Sequence, residues 1–440
     1  MRSQHSLTCI RSFALATIAV FAFVANTVGQ AEKVLHNFQA GAQAGGSGPQ
    51  AALVMDSAGN LYGTTFYGGT VKSSLCSDAG AFGCGTAFEL SPSSGGGWTE
   101  KTLHNFGQTG DGADPAAAMI FDAAGNLYGT TSSGGSKGCG TVFELIHQES
   151  GAWSEKVLYS FCSLPQEADG SYPDGELIFD KAGNLYGTAS EGGTGPCKCV
   201  GVVFELSPGQ GGGWTEQVLH NFGSPGDGAN PAAGLVFDHA GNLFGTTGIG
   251  GSSCNFNLGC GTVFELTPQS GGTWTEKVLY IFTGSFQETV AIPNSTPVLD
   301  AAGNLYGTTS YAPETFQLTP NSDGSWTEKD LPAPCCFPNA LTMDSTGNLY
   351  ATASSTTGGS CCGSVFELVP QPDGRWTGTV LFNFPSTGQS GAIPLAGLIF
   401  DKKGNLYGTT SQGGTFWHPG LGMPAGTVFK IIPAETVTAP

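Results

Sequence analysis

Three aspartates in a recurring loop motif are the first residues of this chain whose type and spacing could do chemistry. The motif is Gly-Asp-Gly-Ala-Asp-Pro at 110–115, Gly-Asp-Gly-Ala-Asn-Pro at 226–231 and a looser Ala-Asp-Gly at 168–170. Carboxylates on glycine-rich loops can bind Ca²⁺ or hydrogen-bond the hydroxyls of a sugar. The same pattern also forms Asx turns, in which the aspartate bonds its own backbone, and it lacks the rest of an EF-hand loop. We therefore predict Asp111, Asp169 and Asp227 as binding residues and expect no cofactor, with Ca²⁺ as the alternative.

A second candidate is the unrepeated pair Trp417 and His418 in the last long loop. An indole beside an imidazole could stack on a sugar and donate a proton, although a surface pair of this kind often has no functional role. We include both residues among the predicted binding residues.

Three histidines recur at one sequence position, His36, His104 and His220, where other repeats carry Tyr159 or Tyr280. Exchange of imidazole for phenol favours a packing role over proton transfer. No set of nucleophile, base and orienting group accompanies these histidines, so the sequence does not decide whether the protein is an enzyme.

Twelve cysteines follow Cys9, an even number that is typical of disulfides in an oxidising compartment. Cys76 with Cys84 and Cys254 with Cys260 could each close a loop. We expect the adjacent Cys335 and Cys336 to pair with Cys361 and Cys362 rather than with each other, because a vicinal bridge is strained. The connectivity of the remaining four, Cys139, Cys162, Cys197 and Cys199, stays open. A zinc site is the alternative, but no Cys-x-x-Cys pair is present to support it.

These candidate residues are carried by a repeat. Seven copies of Gly-Asn-Leu-Tyr-Gly-Thr-Thr, or close variants, recur at intervals of 44 to 66 residues, with first residues Gly59, Gly125, Gly183, Gly241, Gly303, Gly347 and Gly404. Each unit contains four short runs rich in Val, Leu, Phe, Tyr and Thr, bounded by Gly, Pro and Ser, as β-strands are. The pattern predicts an all-β, seven-bladed β-propeller with four antiparallel strands in each blade.

The link between the first two strands of each unit is a tight turn, Asp-x-x-Gly. Aspartate suits the first position of a type I turn and glycine the fourth. An Asp that bonds its own turn explains all seven copies, so we interpret this ring of aspartates as structural rather than as a metal site.

Ring closure follows from an imbalance between the two ends of the chain. Six third strands are followed by a Trp that opens a fourth strand, but the seventh, at 427–432, is not. Residues 32–38 read as a fourth strand without a blade before it. Pairing this strand with the last blade removes two exposed sheet edges. We therefore predict one closed domain over 31–433, followed by a short tail at 434–440.

Residues 1–30 read as a secretory signal peptide, since Arg2 and Arg11 precede an apolar stretch at 13–25 that is too short to span a bilayer. Export to the periplasm, cell envelope or medium is the expected localisation, without a membrane anchor. The remaining chain has 13 basic and 34 acidic side chains, a net charge near −21. Such a charge disfavours nucleic acid and anionic membranes as partners.

Loop length distinguishes the two faces of the predicted wheel. The first hairpin never varies, whereas 13 to 29 residues separate the phrase glycine from the third-strand Phe. This connection and the one from the fourth strand to the next blade emerge on the same side of an up-and-down blade. Long loops on a rigid scaffold are where binding usually occurs.

Four phrases together carry a family resemblance: Gly-Asn-Leu-Tyr-Gly-Thr-Thr, a following Gly-Gly, Gly-Thr-Val-Phe-Glu-Leu, and Trp-Thr-Glu-Lys-Val-Leu-His-Asn-Phe. The chain resembles the GloVer (Gloeo/Verruco-type) tandem-repeat family of exported bacterial proteins over nearly its whole length after residue 30. More distantly it is similar to streptogramin-lyase and NHL-like propellers. The resemblance implies a fold and carries no catalytic residues with it.

Two functional hypotheses remain. The first is a monomeric binding module whose long-loop face holds an extracellular glycan, peptide or protein. The second is a lyase or hydrolase that acts on an extracellular polysaccharide or other polymer at the channel mouth, where Asp111, Asp169, Asp227 and His418 would be the residues to test.

Overall fold

Twenty-eight strands form seven four-stranded antiparallel sheets, arranged as the blades of a propeller. The structure is a computed structural model that describes residues 31–39, 45–76, 82–195, 200–251, 259–283, 292–293, 295–310, 315–334, 337–354, 362–385, 390–415 and 425–432. The predicted signal peptide, the predicted tail and the pair Trp417 and His418 lie outside these residues. Within them, no helix has the length and hydrophobicity that crossing a bilayer requires. The predicted fold class is confirmed.

Blades 1 to 6 present their strands in sequence order, and blade 7 takes its outermost strand from the start of the chain. The strands of blades 1 to 4 are Val54–Met55, Leu61–Thr65, Thr86–Pro92 and Trp98–Asn105; Ile120–Phe121, Leu127–Thr131, Thr141–His147 and Trp153–Ser160; Ile178–Phe179, Leu185–Ala189, Val202–Pro208 and Trp214–Asn221; and Val236–Phe237, Leu243–Thr247, Thr262–Pro268 and Trp274–Ile281. Blades 5 to 7 comprise Val298–Leu299, Leu305–Thr308, Thr315–Pro320 and Trp326–Asp330; Pro338–Met343, Leu349–Ala353, Ser364–Pro370 and Trp376–Asn383; and Ile399–Phe400, Leu406–Thr410, Thr427–Ile432 and Ala31–Asn37.

The first turn of every blade is built as the Asp-x-x-Gly motif predicts. In blade 1, Asp56 Oδ1 accepts hydrogen bonds from the backbone N–H groups of Ala58 and Asn60, both at 2.9 Å. Asp56 Oδ2 accepts from the Asn60 amide at 2.8 Å and from the Tyr62 hydroxyl at 3.2 Å. Both backbone bonds to the aspartate recur in the other six blades at Asp122, Asp180, Asp238, Asp300, Asp344 and Asp401. These aspartates are saturated by their own turns, which confirms the structural interpretation.

The second glycine and the two threonines of the repeated phrase allow the strands and blades to pack closely. A Cβ on Gly63 would lie 2.7 Å from the Phe88 ring, so glycine gives this third-strand Phe room to cross the second strand. The first Thr of the phrase reaches the next blade, as in Thr188, whose hydroxyl donates to the Ala233 carbonyl at 2.8 Å. The second Thr, such as Thr65, bonds the hydroxyl of Thr86 on the third strand at 2.8 Å.

Neighbouring blades are joined by pairs of buried phenylalanines. The Phe that follows a fourth strand packs at a steep interplanar angle against the third-strand Phe of the next blade, with ring centroids 5.0 to 5.1 Å apart. These pairs are Phe38–Phe88, Phe106–Phe143, Phe161–Phe204, Phe222–Phe264, Phe282–Phe316 and Phe384–Phe429. At the junction of blades 5 and 6, Leu331 packs in the cluster that contains Phe366. Each blade is therefore completed by its neighbour.

The predicted closure of the ring is confirmed. Ala31–Asn37 pairs antiparallel with Thr427–Ile432, with Val34 opposite Phe429, and is the outermost strand of blade 7. Phe38 then seals blade 7 against blade 1. Across the same junction, the Thr409 hydroxyl donates to the Ala51 carbonyl at 3.0 Å.

The long connections share one face, as their lengths predict. Four short two-stranded ladders join the segment that enters a blade to the segment that leaves its second strand: Gly46–Ser47 with Tyr67–Gly68, Gly112–Ala113 with Ser133–Gly134, Gly228–Ala229 with Ile249–Gly250, and Gly391–Ala392 with Gln412–Gly413. A short 3₁₀ turn, Pro165–Glu167, lies in the connection that enters blade 3.

Disulfides brace this face. Cys76 is bonded to Cys84, as predicted, and Cys139 is bonded to Cys162, a pairing that the sequence left open. The second bridge ties the connection that follows the second strand of blade 2 to the connection that leaves the same blade. Cys260 is disulfide-bonded, while Cys254, Cys197, Cys199, Cys335, Cys336 and Cys361 lie outside the described residues.

The expectation for Cys362 is wrong in this structure. Cys362 carries a free thiol and is half-buried. Its side chain packs against the apolar cluster of Val365, Phe384 and Leu398. The thiol therefore behaves as a small hydrophobic group and takes no part in a bridge.

Because Phe38 is buried in the junction that joins the two ends of the ring, Phe38→Ala should lower the free energy of unfolding by about 3–5 kcal/mol. Urea denaturation followed by tryptophan fluorescence measures this change. Leu164→Ala is the control, since Leu164 is 46% exposed and its truncation should change stability by less than about 0.5 kcal/mol. Equal effects of the two substitutions would contradict the closure described above.

Candidate functional site

The three predicted aspartates lie at junctions between blades and not at the channel mouth. Asp111, Asp169 and Asp227 occupy the connections that enter blades 2, 3 and 4, and they are 6%, 0% and 8% exposed. Each bonds a residue of the preceding blade's outermost strand. The hypothesis that places them at the channel mouth is wrong in this respect, because each connection starts at the rim and the aspartate falls near that start.

At the junction of blades 1 and 2, Asp111 belongs to a cluster of three ionisable side chains. His104 Nε2 donates to Asp111 Oδ2 at 2.9 Å, and the Gly112 N–H donates to Oδ1 at 2.6 Å. Glu155, on the outermost strand of blade 2, completes the cluster. One ligand atom from each of the three side chains lies within 4.8 Å of the others. Gln108, Thr109 and Gly110 line the same depression in the surface.

The junction of blades 3 and 4 repeats this arrangement. His220 Nε2 donates to Asp227 Oδ2 at 3.1 Å, and the Gly228 N–H donates to Oδ1 at 2.6 Å. Glu276 on the outermost strand of blade 4 approaches both, again within 4.8 Å.

The junction of blades 2 and 3 carries a variant without histidine. The Tyr159 hydroxyl donates to Asp169 Oδ2 at 2.8 Å, and the backbone N–H groups of Ser163 and Leu164 donate to the same carboxylate at 2.8 and 3.2 Å. The charge of Asp169 also acts on the nearby Glu216. Asp169 is therefore held by its own loop, as the Asx interpretation predicts.

The histidines do pack, as predicted, but packing is only part of their role. His36, His104 and His220 each meet the Phe two residues later edge-on, with ring centroids 4.6 to 4.8 Å apart. His104 and His220 bond an aspartate as well, which the sequence argument missed. Burial lowers the pKa of His36 to about 4.

The glutamates of these junctions share an unusual electrostatic environment. Burial, with a smaller contribution from the charge of the neighbouring aspartate, raises the pKa of Glu155, Glu216 and Glu276 to about 7. His104 and His220 act in the opposite direction on Glu155 and Glu276. Each carboxyl group can therefore change charge near neutral pH.

The central channel is a second candidate site, and its lining was not predicted. A cavity of about 160 Å³ is bounded by one segment from each blade: 50–52, 116–118, 174–176, 232–234, 295–296, 339–340 and 395–397. Alanine and glycine dominate this lining. Among its described residues, the only acidic side chains are Asp174 and Glu176 of blade 3.

These two carboxyl groups stand two residues apart in the chain, and both residues line the cavity. Burial raises the pKa of both, that of Asp174 to about 6. The Ser190 hydroxyl donates to Asp174 Oδ2 at 3.0 Å. Because Ser190 directly follows the second strand, which ends at the long-loop face, Asp174 lies toward that end of the channel.

The arrangement defines a seven-bladed β-propeller with acidic groups at blade junctions and in its channel. The chain belongs to the Gloeobacter/Verrucomicrobia repeat family, whose pattern matches residues 72–319 and 256–439. No curated protein is similar to it in sequence.

Solved propellers share the architecture. A streptogramin B lyase matches with a TM-score of 0.50 at 13% identity, over 91% of this chain and 98% of its own. The virginiamycin B lyase from Staphylococcus aureus matches with a TM-score of 0.51 at 13% identity, over 91% and 100%. At this identity the likeness shows the fold alone.

The raised pKa of Glu216 makes stability depend on pH in a defined direction. Its carboxyl group binds a proton more tightly in the folded chain, with a pKa of about 7 against the ordinary 4.5, so its contribution to stability falls as pH rises from 4.5 to 7. Glu216→Gln should therefore stabilise the protein at pH 8 by roughly 1 kcal/mol, since solvent screens part of the effect, and change it little at pH 4.5.

Denaturant melts of both proteins at the two pH values measure this difference. Glu149→Gln, on an exposed hairpin, is the control and should show no pH-dependent difference. A stabilisation by Glu216→Gln that is the same at both pH values would contradict the assignment.

Proposed function

We propose that this protein is an exported binding module that holds its ligand at the long-loop end of the central channel through Asp174 and Glu176. The observation that carries the proposal is that these acidic groups are not repeated. At the position of Glu176, five other blades carry Ala52, Ala118, Gly234, Ala340 and Gly397. The propeller therefore folds around small residues there, and the carboxylates of blade 3 are not needed for the fold.

The lining also suits contact with a ligand. Small side chains leave backbone groups close to the cavity, while the carboxylates supply acceptors for hydroxyl or ammonium groups. A glycan hydroxyl, or a basic group of a peptide or protein, has the donors that these oxygens accept. The net charge near −21 repels nucleic acid and anionic membranes and attracts cationic partners.

Export is part of the proposal. The arginines and the apolar stretch of residues 1–30 motivate it, and the bridges Cys76–Cys84 and Cys139–Cys162 fit an oxidising compartment. No described feature requires a second copy of the chain, so we expect a monomer.

A second candidate is a lyase or hydrolase that acts on an extracellular polymer in the same channel. Its support is Asp174, since a carboxyl group with a pKa of about 6 can both accept and donate a proton near neutral pH. Two of the solved propellers with this architecture are lyases by name. Asp111 and Asp227 are engaged at the rim, so they are poor candidates for this chemistry.

Glycan and peptide arrays probed with the exported chain test the binding function. Any ligand retained by the wild type should bind at least tenfold more weakly to the double variant Asp174→Asn, Glu176→Gln, because the variant removes two charged acceptors at constant size. Affinity for a cationic ligand should also fall as pH drops below about 6, where Asp174 takes up a proton.

Glu149→Gln is the control for loss of acidic charge away from the channel. Glu149 is exposed in the turn between the third and fourth strands of blade 2. Unchanged affinity in the channel double variant would refute the proposed site. Release of product from a bound polymer, lost in Asp174→Asn while binding persists, would favour the enzyme.

A further inference from the structure

Two of the blade junctions present the same three metal-ligating side chains. His104, Asp111 and Glu155 meet at one, and His220, Asp227 and Glu276 at the other. Each set combines an imidazole nitrogen with two carboxylate oxygens. In each set the histidine comes from one blade's outermost strand, the aspartate from the connection that follows, and the glutamate from the next blade's outermost strand.

The spacing of these atoms suits a coordinated ion. Metal–nitrogen and metal–oxygen distances in such sites are about 2.0–2.2 Å, which places adjacent ligand atoms roughly 3 Å apart. The His104 Nε2 to Asp111 Oδ2 distance is 2.9 Å, and the His220 Nε2 to Asp227 Oδ2 distance is 3.1 Å. The glutamate atom of each set lies within 4.8 Å of the other two, so its side chain would rotate toward an ion that replaces the shared proton.

The glutamates contribute a feature that they share with Glu216 at the junction of blades 2 and 3. Glu155 Oε1 and Glu276 Oε1 are buried and have no hydrogen-bond partner among the described residues. A buried carboxylate oxygen without a partner is costly, and a bound cation would remove that cost. The aspartates are oriented in advance, since the Gly112 and Gly228 N–H groups hold one oxygen and leave the other toward the histidine.

The donor set selects the class of ion. Ca²⁺ takes six to eight oxygens, whereas imidazole with carboxylates suits Zn²⁺ and its transition-metal neighbours. We propose that the junctions of blades 1 and 2 and of blades 3 and 4 each bind one divalent transition-metal ion of the Zn²⁺ class. This inference is independent of the ligand proposed for the channel.

Other junctions show that the fold does not require the complete set. At the junction of blades 2 and 3, Tyr159 stands where the others have histidine. At the junction of blades 7 and 1, Gly45 faces Glu100, so His36 has no aspartate from that position. The buried glutamate is common to these junctions, but only two add both a histidine and an aspartate.

A bound ion would connect two blades that are otherwise joined by packing and hydrogen bonds. It would bind the folded chain and not the unfolded one, so stability should rise with free metal concentration. The acidic depression around Asp111 opens to solvent and gives the ion a route of entry.

Isothermal titration of chelator-treated, tag-free chain with Zn²⁺ tests the proposal. The wild type should bind two ions. His104→Tyr and His220→Tyr should each leave one, and the double variant should bind neither, because tyrosine is the natural residue of the third junction. The thermal midpoint should rise with Zn²⁺ in the wild type and stay constant in the double variant.

His36→Tyr is the control and should still bind two ions. Should the double tyrosine variant fail to fold, Glu155→Gln with Glu276→Gln replaces it, with an expected loss of at least tenfold in affinity at both sites. Fewer than two ions in the wild type, either ion retained in the double tyrosine variant, undiminished affinity in the glutamine variant, or tighter binding of Ca²⁺ than of Zn²⁺ would overturn the proposal.

Discussion

Everything in this structure depends on each blade burying its faces against the next blade. A single four-stranded sheet has two apolar faces and no core of its own. The phenylalanine that follows a fourth strand, such as Phe106, enters the adjoining blade and meets Phe143. The Thr64 hydroxyl joins the same pair of blades near the axis by donating to the Ala117 carbonyl at 3.4 Å. Seven such contacts must close on themselves, which explains why the strand at Ala31–Asn37 joins the far end of the chain.

Much of this fold could be predicted because its signals are local and repeated. Asp56 bonds a backbone only two and four residues away, so a motif of five residues is enough to reveal the turn. Closure of the ring could be predicted by counting strands. One strand at the start of the chain had no blade and the last blade lacked one strand, so the two were expected to pair. The bridge between Cys76 and Cys84 was accessible for the same reason, because its cysteines are only eight residues apart.

The candidate sites could be predicted only in part, because they are assembled across blades. Asp111 and Asp227 were identified from their loops, but their distance from the axis depends on where each connection starts. One signal was present in the sequence: His104 precedes Asp111, and His220 precedes Asp227, by the same seven residues. Glu155 could not be paired with them without knowing which strands adjoin. Glu176 interrupts a series of small residues, and the functional meaning of that interruption depends on knowing that the position lines the channel.

The sequence differences of blade 5 leave one junction unlike the others. Its fourth strand is short, Trp326–Asp330, and the aliphatic Leu331 packs in the cluster of Phe366, where other blades supply a phenylalanine. In a closed ring, every sheet has a neighbouring sheet on both sides. Such a sheet can open to solvent only by separating from a neighbour, so the local stability of each blade is coupled to that of the blades beside it.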